Sequence, residues 1–273
     1  MTVVATPTPT STTRVVELPN GLPVRITEFG RPTDGTGVLI LHGGAGARSV
    51  MGFATAMSEH AYVVVPTHPG FDGTARPEST DSVADLATAY LDLIDELGLN
   101  GVMVVGSSIG GWIASEMSLR DNHQTLSALI LLDAVGIEPD APLEIGDPAK
   151  LGPVKTGELA FYRPELRPNP AAFTDEQKAG AVANQRTQGI YAAGNFDPKL
   201  RGRLHRVTVP VLVLNGVEDG IVPLEYAHAL TRSFPRAIFR SIPEAGHFPH
   251  IEQPGAVFGA IGDFVETVVK PAI

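Results

Sequence analysis

Residues 101–116 read GVMVVGSSIGGWIASE. An apolar, β-branched run, Val102 to Val105, stops at Gly106-Ser107-Ser108-Ile109-Gly110-Gly111, and helix-like sequence follows at once. A strand that passes directly into a helix must turn within two or three residues, and glycine fits where a Cβ would collide. Ser108 then stands at the carboxyl end of a strand and the N-terminus of a helix. Backbone N–H groups at that place point toward developing negative charge. G-x-S-x-G between a strand and a helix is the pattern of a nucleophile elbow, a turn that presents a serine hydroxyl. A plain small-residue turn would read the same way, so the serine needs partners elsewhere in the chain.

The flanking segments set the context. GVLILHGG (37–44), AYVVVP (61–66), LSALILLDA (126–134), VPVLVLNG (209–216) and AIFRSIP (237–243) repeat the short apolar run of VMVVGS (102–107). Each is consistent with a strand buried on both faces. RVVELP and LPVRITEF (14–29) flank Asn20-Gly21, a hairpin signal. Between Asp81 and Leu97 the apolar residues Val83, Leu86, Ala87, Tyr90, Leu93, Ile94 and Leu97 follow helical spacing, and Gly98 stops the helix. Gly111–Leu119 and Ala256–Val269 read as further helices. Strands alternating with helices predict an α/β fold, a mostly parallel sheet with helices on both faces. Residues 135–206 break the rhythm with eight prolines and no buried-strand pattern. A structureless loop of that length is improbable, and Thr174-Asp175-Glu176-Gln177 has the form of a capping box. The segment is read as a helical lid. The core is then 14–134 and 207–273, and residues 1–13, rich in Thr and Pro, are read as a disordered lead-in.

A serine nucleophile needs a base, and the base needs an acid to orient it. Of eight histidines, His247 in Gly246-His247-Phe248 lies past the last strand, where it can reach back over the sheet edge. His60, His123, His205 and His228 read as surface residues and His250 as structural. The acid is expected to be Asp219, after the fifth buried strand, with Glu218 and Asp133 as the weaker alternatives. His42-Gly43-Gly44-Ala45-Gly46 follows another strand, and its flexible backbone suits an oxyanion donor. The expected donors are the N–H groups of Gly44 and Ile109.

In this order and spacing the chain resembles the α/β-hydrolase family over about residues 14–270. The matching motifs are His42-Gly43-Gly44, Gly106-Ser107-Ser108-Ile109-Gly110, Gly216-Val217-Glu218-Asp219 and Gly246-His247. Thr67-His68-Pro69-Gly70 is similar to a loop in which the family commonly has Asp where this chain has His68. The resemblance implies an eight-stranded sheet whose first two strands are the hairpin. A serine at the elbow disfavours the dehalogenase and epoxide hydrolase types, which use Asp there. His42 to Ala47 is similar to the Gly-rich loop of C–C bond hydrolases. Those usually have Asn before the serine and Trp after the histidine, where this chain has Ser107 and Phe248.

The expected activity is therefore cleavage of a small to medium apolar carboxylic ester through an acyl-enzyme, with no cofactor. C–C hydrolysis and cofactor-free haloperoxidase chemistry are the alternatives, and a small-molecule receptor on the same fold is the non-enzyme reading. Gly43, His68, Phe161, Tyr162, Tyr191 and Phe248 are the expected pocket residues. A net charge of −10 and a pI near 5.2 disfavour nucleic acid and anionic membranes as partners. The absence of cysteine removes thiolate chemistry and cysteine metal sites and fits a cytoplasmic setting. No apolar run approaches the roughly 18 residues of a membrane span.

Overall fold

The computed structural model describes residues 11–32 and 34–269. Eight strands form one sheet: β1 (Ser11–Glu17), β2 (Pro23–Phe29), β3 (Val38–Leu41), β4 (Val63–Pro66), β5 (Val102–Ser107), β6 (Leu126–Leu132), β9 (Val211–Gly216) and β10 (Ala237–Ile242). Their order is β1-β2-β4-β3-β5-β6-β9-β10. β2 pairs antiparallel with both β1 and β4, and every later pairing is parallel. Two short strands outside this sheet, β7 (Gly136–Ile137) and β8 (Phe196–Asp197), pair with each other.

The uninterrupted apolar runs have a simple cause. Alternate residues of one strand enter two separate cores. Val104, Leu129, Leu131, Val211 and Val213 pack with α2 (Val83–Glu96), α3 (Ile109–Ser118) and α6 (Leu224–Arg232). Val105, Ile130, Leu132, Leu212 and Leu214 pack with α1 (Arg48–Met57) and α8 (Pro254–Phe264) on the other face. A strand covered on both sides has no polar face to alternate with. β3 lies between β4 and β5, so the chain crosses in opposite directions on its two sides. Such a reversal leaves a crevice at the carboxyl ends of the strands, the usual place for a ligand in an open α/β sheet.

The helix expected from residue 81 is α2, closed by a reciprocal Ser82–Asp85 capping box and stopped at Gly98, whose φ is +64°. Two boundaries need correction. β1 begins at Ser11, inside the expected lead-in, because its residues 11–13 pair with 27–29 of β2; residues 1–10 lie outside the described residues. The last helix is α8 up to Phe264, followed by a π turn over Val265–Val269. α1 and α6 were not legible as helices.

Residues 135–206 contain β7, β8 and two main helices, α4 (Pro148–Ala160) and α5 (Asp175–Tyr191). α4 breaks at Gly152, which has φ +72° and precedes Pro153. α5 opens on the Thr174–Gln177 capping box read from the sequence. Among the described residues, no helix is long and apolar enough to cross a membrane.

Candidate active site

Ser108 adopts φ 55° and ψ −119°, a backbone that an L-residue occupies only under constraint. The constraint is close packing. A Cβ on Gly106 would strike the Gly110 carbonyl, and one on Gly110 would strike the Leu41 carbonyl. The turn is pinned by the Ser108 N–H donating to the Leu132 carbonyl at 2.9 Å. Its side chain makes no capping bond to α3. The hydroxyl is thus left to the crevice above the sheet.

His247 and Asp219 meet there. His247 Nδ1 and Asp219 Oδ2 are 2.8 Å apart. Asp219 Oδ1 accepts the N–H groups of Ile221 at 2.7 Å and Val222 at 3.0 Å. A carboxylate held on both oxygens fixes Nδ1 as the protonated ring nitrogen and frees Nε2 as an acceptor. The His247 loop is held as well: the His247 N–H donates to the Ala160 carbonyl at 2.8 Å, and the Gly246 N–H to buried Glu252 at 2.7 Å. The weaker acid candidates stand elsewhere. Glu218 is exposed and accepts the Ala245 N–H. Asp133 is fully buried behind Asp219, with one oxygen accepting the Gly216 N–H at 2.8 Å. Among the described residues, Asp133, Asp219 and His247 are the one cluster with metal-ligand spacing. The hydrogen bonds already made by Asp219 suit it to holding an imidazole.

Ser108 and His247 face one cavity of about 500 Å³, a size suited to a small organic ligand. Gly43, Gly44 and Phe248 line it, and so do Pro148, Pro153, Thr156, Phe173, Lys178, Val182, Gln185 and Gln188. A Cβ on Gly44 would meet the Gln188 amide, the movable end of a flexible side chain. Ile109 is fully buried at the first turn of α3, directly after Ser108.

Four expected pocket residues are not in the wall. Phe161 is buried behind Phe248, their rings stacked at 4.9 Å. Tyr162 is exposed on the outer side. Tyr191 points to the core, its hydroxyl donating to the Pro69 carbonyl at 3.0 Å. His68 is fully buried beneath the Gly43–Gly44 loop. The residues that sequence reasoning missed come mainly from α4, α5 and the stretch between them. Lys178, Ala181, Val182, Gln185 and Gln188 form a helical stripe toward the cavity. Asn184, Thr187 and Tyr191 form the stripe toward the core, bonded to Asp72, the Gly70 carbonyl and the Pro69 carbonyl. Both stripes mix polar and apolar residues, so no amphipathic pattern separates them.

His68 and His42 support the loop in one tautomeric arrangement. The His68 backbone N–H donates to His42 Nε2 at 3.0 Å, so His42 carries its proton on Nδ1 and donates to the Gly43 carbonyl at 2.7 Å. His68 Nε2 faces the His42 carbonyl at 2.9 Å and must donate to it, so its Nδ1 accepts from the Tyr90 hydroxyl. A second proton on His42 would break its bond from the His68 N–H, and one on His68 would force the Tyr90 hydroxyl to turn from donor to acceptor. Burial pushes His42 down to about 4 and His68 well below its ordinary value, and it pushes His250 down to about 4. Below about pH 6.5 the unfolded histidines take up protons that the folded ones refuse, so this contribution to stability is lost as pH falls from 6.5 toward 4. Thermal melts across that range are expected to show Tm dropping steeply. A flat Tm would mean that these rings ionise in place.

A model of the alpha/beta hydrolase family matches residues 38–260. The chain belongs to the alpha/beta hydrolase family. A curated relative, 2-hydroxy-6-oxo-2,4-heptadienoate hydrolase of Pseudomonas putida, is 26% identical over 253 residues, covering 85% of this chain and 89% of that protein. Among solved structures, an esterase from Exiguobacterium antarcticum superposes with a TM-score of 0.75 at 20% identity, covering 93% of this chain and 99% of that one. The 2-hydroxy-6-oxo-6-phenylhexa-2,4-dienoate hydrolase of Rhodococcus sp. strain RHA1 gives 0.72 at 22% identity, covering 92% and 99%.

Proposed function

We propose that this hydrolase cleaves small to medium apolar carboxylic esters through an acyl-enzyme on Ser108. The observation that carries the reading is the Asp219–His247 hydrogen bond of 2.8 Å beside a strained serine facing the same cavity. His247 Nε2 removes the Ser108 proton as Oγ attacks the acyl carbon, then returns it to the leaving alkoxide. The N–H groups of Gly44 and Ile109 take the oxyanion. Water, deprotonated by the same imidazole, releases the acid. Residues 135–206 act as the lid, since α4 and α5 supply most of the wall opposite the serine.

C–C hydrolysis is the second reading, favoured by the Pseudomonas putida relative. A dienoate substrate carries a carboxylate, which calls for a charged or multiply donating partner. The cation in the wall is Lys178, which is exposed and pairs with Asp175 at 3.6 Å. That placement supports the ester reading.

The test is reaction with an aryl phosphonate and turnover of p-nitrophenyl esters of graded chain length, beside a 2-hydroxy-6-oxodienoate. Labelling of Ser108 with multiple ester turnovers is expected. Binding without turnover would make the protein a receptor, and turnover of the dienoate alone would establish C–C chemistry. Within the ester series, Phe173→Ala is expected to shift the relative kcat/KM of short and long acyl chains by about tenfold, since apolar selectivity per methylene is roughly 1–3 kcal/mol. Tyr162→Ala, outside the cavity, is the control.

A further inference from the structure

Two carboxyl groups and one imidazole are crowded into a buried volume behind the serine. Polar atoms of Asp133, Asp219 and His247 all lie within 4.8 Å of one another. Asp133 and Asp219 come from neighbouring strands, β6 and β9, whose carboxyl ends lie side by side. Asp133 is 0% exposed and Asp219 6%. Asp133 Oδ1 accepts the Gly216 N–H, whereas Asp133 Oδ2 has no donor facing it. The Asp219 carboxylate is its acidic neighbour, and Glu252, which accepts the N–H groups of Gly246 and Arg163, is a second. His247 is the basic group in the cluster, and its Nδ1 is committed to Asp219. Two ionised carboxylates cannot share such a space without a cation, and an acceptor with no donor is costly when buried. One proton between them removes both problems.

We propose that Asp133 is a positioning residue that stays protonated at neutral pH and donates a hydrogen bond from Oδ2 to the Asp219 carboxylate. Asp219 is then held from two sides, by the N–H groups of Ile221 and Val222 and by the Asp133 hydroxyl, with its remaining capacity aimed at His247. Burial first, and the Asp219 charge second, push the Asp133 carboxyl well above its ordinary value, as this arrangement requires. The backbone agrees with the choice of residue: Asp133 has φ +47°, a region that Asp and Asn tolerate better than most side chains. The effect on rate rests on the triad reading above; the proton itself does not.

Asparagine is a neutral mimic of a protonated aspartate, with an acceptor for the Gly216 N–H and an N–H for Asp219. Leucine keeps the bulk and removes both. The first measurement is Tm against pH for the wild-type chain and Asp133→Asn. Above about pH 3.9 an unfolded carboxyl releases the proton that the folded one keeps, so wild-type stability falls with rising pH and the amide escapes that loss. The Tm of Asp133→Asn relative to wild type is therefore expected to climb between pH 4 and pH 8. A difference that stays flat, or turns against the variant as pH rises, overturns the proposal. The second is the infrared spectrum of the folded wild-type protein at pH 8, where a protonated-carboxyl band is expected and its absence sinks the idea even if no variant folds. The third is ester turnover. Asp133→Leu is expected to lower kcat about tenfold or more, and Asp133→Asn to restore most of it. Should Asp133→Asn be as damaging as Asp219→Asn, Asp133 works as an ionised acid and the proposal fails. If the wild type turns over no ester, the hydrolytic reading falls, while the melts and the infrared band still decide the proton.

Discussion

Ser108→Ala is expected to remove ester turnover almost entirely, with kcat lower by about 10⁴–10⁶-fold. The hydroxyl makes no capping bond to α3 and faces the cavity, so its loss costs chemistry and little folding energy. Tm should stay close to the wild-type value, and the phosphonate should no longer label the protein. Ser107→Ala is the internal control. Ser107 is buried as the last residue of β5 and lies outside the cavity wall. If Ser107→Ala abolished turnover and Ser108→Ala spared it, the nucleophile would be one residue out of register.

Asp219→Asn is the second large effect. The amide can still accept from Ile221 and Val222, so the loop should keep its shape. Its NH₂ group, however, would face Nδ1 and impose the wrong imidazole tautomer. A loss of about 10⁴-fold in kcat is expected, with KM little changed. Glu218→Gln should cost little turnover, because Glu218 meets the Ala245 N–H from an exposed position and does not reach the imidazole. Damage confined to Asp133→Asn, with Asp219→Asn active, would move the acid to the end of β6.

The strand ends were legible for a physical reason. The tight turn at Ser108 demands glycines at 106 and 110 because backbone carbonyls fill the space beside them, and that demand survives in the sequence as a motif. The late His247 and the strand-end Asp219 stand out as candidates in the same way, since few residue types can act as base and acid. Pocket residues obey a weaker rule. The wall opposite the serine accepts Pro, Val, Thr or Gln equally well, so Thr156 and Gln188 carry no signature. Aromatics drew attention as pocket candidates, yet Tyr191 holds the loop after β4, and Phe161 stacks behind Phe248. His68 sat in a motif but serves beneath it, a role fixed by its contacts with His42 and Tyr90 that spacing cannot reveal.

The joint between α4 and the loops that carry Asp219 and His247 bears on how such a chain could be recombined. Residues 135–206 look like a detachable insertion between β6 and β9. Their hydrogen bonds say otherwise: Leu159 accepts the Gly220 N–H, Ala160 accepts the His247 N–H, Gly146 donates to the Ile221 carbonyl and Arg163 donates to Glu252. The Asp219 loop and the His247 loop are therefore both fastened to the inserted segment. A chimera that exchanges the whole segment for a relative's would exchange part of the frame that aims the imidazole. A transplant retaining Gly146 and 159–163 with their native partners, and replacing only the cavity-facing stretches between and beyond them, would change what enters the pocket without disturbing what happens there.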